Sequence, residues 1–170
     1  MKGEKIVAFC DRHCNVLSPM VRAAGNRHES PLFSSALSFL KSVMKRIGST
    51  VSNCVMSLDT AYDSKVNRKL IFNAGMVPNV KENVRNRKKS KRGAKRLFDG
   101  EIYDERFRTM ERVFAWEDKF KRRLIRFEHI SLYHFGLKLI AYTMINLRHF
   151  SGINRFCVIF SFCKCLESVV

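Results

Sequence analysis

Residues 54–80 carry a pattern of strand, helix and strand that constrains the fold more than any other part of the chain. Cys54 to Leu58 and Met76 to Val80 are short apolar runs, and Ser64 to Asn73 between them has helical spacing. Two strands joined by one helix pair in parallel through a right-handed crossover, and Pro78 places the second strand at a sheet edge. We therefore predict an α/β fold with a mixed sheet flanked by helices.

The remaining apolar patterns add elements on both sides of this unit. Lys5 to Cys10 and Asn15 to Arg22 predict two strands that form a hairpin. Leu32 to Ile47, Glu101 to Phe127 and Ser131 to Phe150 have the spacing of amphipathic helices. For the last helix we expect an inward face of Leu132, Phe135, Leu139, Ile140, Thr143 and Leu147.

The overall charge favours a polyanionic partner. The 170 residues suffice for one domain, and 46% of them are apolar, enough for a real core. Lys and Arg number 32 against 15 Asp and Glu, a net charge of +17, which favours nucleic acid or an anionic membrane surface. No apolar run is long enough to span a bilayer, no signal peptide is visible, and the six cysteines lack zinc spacing. We expect a cytoplasmic protein without a membrane partner.

A basic loop at residues 81–100 concentrates this charge. Between positions 85 and 96 it holds eight cations and no acid. Such a loop binds DNA or RNA phosphates without sequence preference by releasing their counterions, and the alternative is a solvated loop or a localisation tag. The eight cations are Arg85, Arg87, Lys88, Lys89, Lys91, Arg92, Lys95 and Arg96.

Acidic residues are scarce, so their positions are informative. Asp59 directly follows an apolar strand, where α/β folds gather ligands and metals. Glu111 lies in an aromatic-rich helical segment. Two such carboxylates can share Mg²⁺ and assist phosphodiester cleavage, but spacing alone favours a strand-end cap and an ion pair. Asp63 is the expected N-cap of the following helix.

Two blocks of sequence carry a more specific signal when taken together. The first runs from Ser57-Leu58-Asp59-Thr60-Ala61-Tyr62-Asp63-Ser64 to Gly75-Met76-Val77-Pro78-Asn79. The second runs from Glu111-Arg112-Val113-Phe114-Ala115-Trp116 to Arg126-Phe127-Glu128. Over roughly residues 2–150 the chain resembles the DDE transposases of bacterial and archaeal insertion sequences.

The resemblance implies an RNase H-like fold that cuts and joins DNA with an Asp, Asp, Glu set on Mg²⁺ or Mn²⁺. Asp59 matches the second Asp and Glu111 the Glu, which makes them the expected catalytic and metal-binding residues. The family's further signature falls on Tyr103, Arg106 and Lys119. The spacing from Arg106 to Glu111 is one residue longer than usual, a rotation of about 100° on a helix, so Arg108 is an alternative to Arg106.

The resemblance also implies partners and additional contacts. Lys119, Lys121 and Arg122 would bind DNA phosphates along the helix after Glu111. The DNA partners would be the element ends and the target. The protein would act as a homodimer on DNA in the nucleoid of a prokaryote.

The N-terminal part of the chain departs from the pattern of this family. The family's first Asp lies upstream of the segment that Met1 to Lys5 resembles, and Asp11 does not match its motif. Residues 1–150 therefore look like a partial catalytic domain that lacks its first strand, and residues 151–170 like a divergent hydrophobic tail. Alone, such a chain would cleave DNA slowly or not at all. A non-catalytic nucleic-acid-binding remnant and an unrelated basic structural or RNA-associated protein stay open as alternatives.

Overall fold

A computed structural model describes residues 4–83, 97–120, 130–147 and 159–164 of the chain. Within these ranges the strands are β1 (Glu4–Cys10), β2 (Val16–Ala24), β3 (Val55–Leu58), β4 (Val77–Val80) and β5 (Ile159–Lys164). The helices are α1 (Leu32–Arg46), α2 (Lys65–Asn73), α3 (Gly100–Glu117) and α4 (Ser131–Leu147). A short 3-10 helix covers Thr60–Tyr62. No helix in the described ranges is long and apolar enough to cross a bilayer.

The strands form one mixed sheet in the order β2-β1-β5-β3-β4. β1 pairs antiparallel with β2 and with β5, whereas β3 pairs parallel with β5 and with β4. The predicted α/β class, the hairpin and the parallel pair with Pro78 on an edge strand are confirmed. β5 occupies the centre of the sheet, although its residues lie in the segment that the sequence pattern set apart as a tail.

Each face of the sheet packs against helices. Val7 and Phe9 of β1 join Phe33 of α1 in one core, which continues through Met56, Leu58 and Ile71. The residues of β1 that alternate with them, Ile6, Ala8 and Cys10, join Met110, Val113 and Tyr142 of α3 and α4 in a second core. Because neighbouring residues of a strand point to opposite faces, β1 contributes to both cores and is buried on both sides.

The inward face predicted for α4 is wrong at four of its six residues; of the six, only Phe135 and Leu139 pack against the second core. Leu132, Ile140 and Leu147 are exposed, and the helix instead buries His134, Lys138, Ala141, Tyr142 and Ile145. The Lys138 Nζ lies 3.5 Å from Glu117 Oε1 of α3, and both side chains are almost fully buried. Because α4 is apolar on most of its circumference, the apolar spacing did not determine its rotation.

Two predicted helix boundaries also differ. The pattern predicted one helix through Phe127, but α3 ends at Glu117 with Asp118 as its C-cap. The predicted part from 121 to 127 lies outside the described residues. The N-cap of α2 is Ser64, whose side chain accepts a hydrogen bond from the Asn67 backbone N–H. Asp63 is therefore not the cap that the sequence predicted; it forms an ion pair with Arg68 at 2.9 Å.

Candidate functional site

Asp59 lies at the carboxyl end of β3 on the side of the sheet that α3 covers. Met56 and Leu58 point into the α1 core, so strand alternation directs Ser57 and the extended Asp59 to the opposite side. The Asp59 Oδ1 accepts hydrogen bonds from the Thr60 backbone N–H at 2.6 Å and from the Thr60 hydroxyl at 3.2 Å. Asp59 is thus both the cap of the 3-10 helix and a half-buried carboxylate facing α3.

A side-chain clamp fixes the start of α3 beside β4. The Asn79 Nδ2 donates to the Asp99 carbonyl at 3.0 Å, and the Asp99 backbone N–H donates to Asn79 Oδ1 at 2.9 Å. Asp99 in turn caps α3, because its Oδ1 accepts from the Ile102 backbone N–H at 3.1 Å. Sequence reasoning missed this clamp; the Asp99 cap was visible as an acid just before a helical run, but its pairing with Asn79 was not.

The clamp brings Tyr103, in the first turns of α3, against Asp59. The Tyr103 hydroxyl lies 3.4 Å from Asp59 Oδ1, which is a long hydrogen bond that the tyrosine donates. Burial, and secondarily the negative charge of Asp59, raise the pKa of Tyr103 above its usual value. Tyr103 therefore keeps its proton and can continue to donate to an oxygen acceptor at neutral pH.

Two cations lie over the Tyr103 ring. The Arg106 guanidinium is 4.8 Å from the ring centroid and the Lys81 ammonium is 5.7 Å from it, both within the range of cation–π attraction. Arg106 is buried, and its Nε has no hydrogen-bond partner among the residues that the structure describes. Lys81 is exposed directly after β4, and sequence reasoning missed it because it lies outside the dense part of the basic loop.

We call Asp59, Lys81, Tyr103 and Arg106 the β3–α3 site. One carboxylate, one phenol and two cations meet there at the carboxyl ends of two parallel strands. Ligands of open α/β sheets bind at this end of the strands. The spacing of Arg106 from Glu111 had left Arg108 as an alternative; Arg106 is the one that stacks on Tyr103, and Arg108 is exposed.

Glu111 is not joined to Asp59 by any contact among the described residues. It lies eight residues beyond Tyr103 on α3 and is exposed. On a regular helix this separation is about 12 Å along the axis with a rotation of about 80°. Its assignment as a metal ligand stays a prediction, since α3 places Tyr103 rather than Glu111 against Asp59.

Asp11 and Asp63, two other acids near the sheet, accept hydrogen bonds that stabilise the fold. Asp11 accepts hydrogen bonds from the backbone N–H groups of His13 and Asn15 and from the Asn15 side chain, and Asp63 accepts from the Asn83 backbone N–H. In the described ranges no three His, Cys, Asp or Glu side chains form a group that could hold a metal ion. The Mg²⁺ or Mn²⁺ ion that the resemblance implies stays a prediction, and no catalytic step through a metal is derived from the described residues.

Most of the predicted DNA contacts lie outside the described residues. Lys119 is within them and is exposed just after α3. Lys81 directly follows β4 and Leu97 lies three residues before α3, so the basic loop connects these two elements along the chain. The predicted contacts outside the described ranges are Arg85, Arg87, Lys88, Lys89, Lys91, Arg92, Lys95, Arg96, Lys121 and Arg122.

Comparison with known proteins adds no relative. No family, curated protein or solved structure matches the chain. The α/β class therefore rests on the sheet and helices themselves. The likeness to transposases stays a prediction that rests on the motifs around Asp59 and Glu111.

Proposed function

We propose that the chain is a DNA-binding protein of the insertion-sequence transposase kind, with an RNase H-like arrangement of its sheet and helices. In this proposal the β3–α3 site and the basic loop face the same stretch of DNA backbone. The observation that carries it is the meeting of Asp59 and Tyr103 with the Lys81 and Arg106 cations. A site with more positive than negative charge attracts a phosphate more strongly than it attracts a cation.

Chain connectivity supports a shared DNA face. Lys81 directly follows β4 and belongs to the β3–α3 site, and Arg85 opens the dense part of the basic loop four residues later. Four residues span at most about 14 Å, which is a short enough connection for one stretch of DNA backbone to contact both parts in this proposal. Lys41 and Lys45, by contrast, are exposed on α1, which packs on the other face of the sheet.

The residues of the site would act on the DNA in distinct ways. Lys81 is exposed and would contact a phosphate oxygen directly as a mobile point charge. Arg106 is buried and stacked, so it would hold the Tyr103 ring in place and add positive potential. Tyr103 would donate its hydroxyl proton in a hydrogen bond either to Asp59 or to a phosphate oxygen.

A non-cleaving DNA binder is the second candidate, and one observation favours it. Tyr103 occupies the position on α3 that contacts Asp59, whereas Glu111 is exposed two turns further along. A phosphodiester-cleaving site of two metal ions needs several carboxylates at short range. DNA binding and DNA cleavage are therefore separable in this proposal.

A nicking assay distinguishes the two candidates. Supercoiled plasmid and duplex DNA are incubated with the full chain and Mg²⁺ or Mn²⁺, and binding to the same duplex is measured in parallel. Cleavage that is lost in both Asp59→Asn and Glu111→Gln, while binding persists, supports the transposase. Binding without any cleavage supports the second candidate, and cleavage equal in wild type and both variants contradicts the roles of Asp59 and Glu111.

A further inference from the structure

The exposed side of α4 carries a stripe of large apolar residues. Tyr133 and Ile140 are each 61% exposed, Met144 is 50% exposed and Leu147 is 56% exposed, with the half-buried Leu137 between them. These five residues, which we call the α4 stripe, are spaced four, three, four and three residues apart. This alternation keeps side chains on one line along a helix and is the spacing through which two helices pack together.

The rotation of α4 is fixed, so the α4 stripe does not turn into the core of the same chain. The Asn146 side chain makes two hydrogen bonds with the backbone of Val16, accepting at 2.8 Å and donating at 2.9 Å. On the buried side, Lys138 pairs with Glu117. A turn that buried Ile140 would break both sets of contacts and expose Tyr142 and Ile145, which are buried now.

The charge of α4 differs from that of the rest of the chain. The chain carries +17, yet between Ser131 and Leu147 the only Lys, Arg, Asp or Glu is Lys138, which is buried. The small residues Gly136 and Thr143 flank the α4 stripe, and a side chain added at Gly136 would meet no other atom within 4 Å. A second helix can therefore approach closely without like charges facing each other.

We propose that the α4 stripe is an interface with a second copy of this chain, formed by two α4 helices packed across a two-fold axis. The α4 stripe is apolar along its length, so it can pack against an identical stripe, as a two-fold interface requires. Its exposed side chains present roughly 500 Å² per copy, at the upper range of patches on monomers. A pair would bury about 1,000 Å² in total, near the lower limit for a specific interface, so the dimer is a concentration-dependent one. This proposal does not depend on DNA binding.

Sedimentation equilibrium of the full chain over a range of concentrations tests the proposal. The experiment is run without DNA at about 1 M salt, where the screening length falls to about 3 Å and the +17 charges repel little. Wild type is expected to shift from monomer to dimer as its concentration rises. Ile140→Lys should weaken this association by about tenfold or more, because it places an unpaired ammonium in the apolar contact.

Leu132→Lys is the matched control, since Leu132 is 60% exposed on the same helix but lies off the α4 stripe. It should dimerise like wild type, and circular dichroism should give the same helix content for all three proteins. A wild type that is monomeric at every concentration overturns the proposal, as does equal weakening by the two substitutions. Flotation of monomeric wild type with phosphatidylcholine vesicles would overturn it in favour of a membrane surface.

Discussion

At the scale of single residues, Tyr103 connects the candidate site to the fold. It contacts Asp59 on one strand end and supports two cations on its ring. Motif resemblance singled out Tyr103 and Arg106, and position after a strand singled out Asp59. The role of Lys81 and the Asn79–Asp99 clamp could not be predicted. Asn79 and Asp99 are 20 positions apart, and a contact between distant residues leaves no periodic pattern in the sequence.

The pKa of Tyr103 provides a prediction at this scale. Burial raises it and Asp59 raises it further, so replacing Asp59 by Asn should lower the pKa of Tyr103 toward the value of free tyrosine. The tyrosine signals of the labelled protein, followed by NMR over alkaline pH, report this titration, and Tyr103→Phe assigns the signal. A Tyr103 pKa that does not fall in Asp59→Asn contradicts the contact.

The raised pKa of Tyr103 also makes the free energy of unfolding depend on pH. The folded protein binds the Tyr103 proton more tightly than the unfolded chain, so this residue's contribution is present in full below pH 10, the usual pKa. The contribution is lost as the pH rises from there through the higher folded pKa. Tyr103→Phe should remove this part of the alkaline loss of stability.

At the scale of elements, the predictions were most accurate for segments whose apolar residues lie on defined faces. β3, α2 and β4 have clear strand and helix patterns with apolar residues on defined faces, and their order and parallel pairing were predicted. α4 was predicted as a helix, but it is apolar on most sides, so four of the six residues predicted to face inward are exposed. β5 could not be predicted from its short apolar run, since only hydrogen bonding to β1 and β3 decides that it fills the centre of the sheet.

The buried ion pair between α3 and α4 gives a prediction at the scale of elements. Glu117 and Lys138 are 1% and 3% exposed, so Glu117→Gln leaves a buried ammonium without its carboxylate. Losing one partner of such a pair costs about 3–5 kcal/mol of unfolding free energy. Glu101→Gln, in the exposed first turn of the same helix, removes the same charge and should cost about 1 kcal/mol or less.

Urea denaturation of the two variants and wild type measures these free energies. We expect a much larger loss of unfolding free energy for Glu117→Gln than for Glu101→Gln. Equal losses would mean that the ion pair does not hold α4 against α3. In that case, of the contacts described above, only the two hydrogen bonds between Asn146 and Val16 would fix the rotation of α4.

At the scale of the whole molecule, the two proposed binding regions lie on different elements. The β3–α3 site adjoins the basic loop, while the exposed side of α4 lacks charge. In the two proposals, the chain binds a polyanion through one region and a second copy through the other. Composition alone predicted a polyanionic partner but could not place it, because net charge carries no information about position.

We propose that the chain binds the DNA backbone through the basic loop and the β3–α3 site. The dissociation constant for duplex DNA, measured as a function of salt concentration, tests this proposal. We compare wild type, a variant with all eight cations at positions 85–96 changed to Gln, Lys81→Gln, and Lys41→Gln on the opposite face as the single-charge control.

Affinity of the wild type should fall steeply with salt, with a logarithmic slope of about −0.9 for each phosphate neutralised. The variant without the eight cations should lose most of that slope. Lys81→Gln should reduce the magnitude of the slope by about 1, whereas Lys41→Gln should match wild type. DNA binding that is independent of salt, or equally strong in the wild type and in the variant without the eight cations, would show that these cations do not bind the DNA backbone.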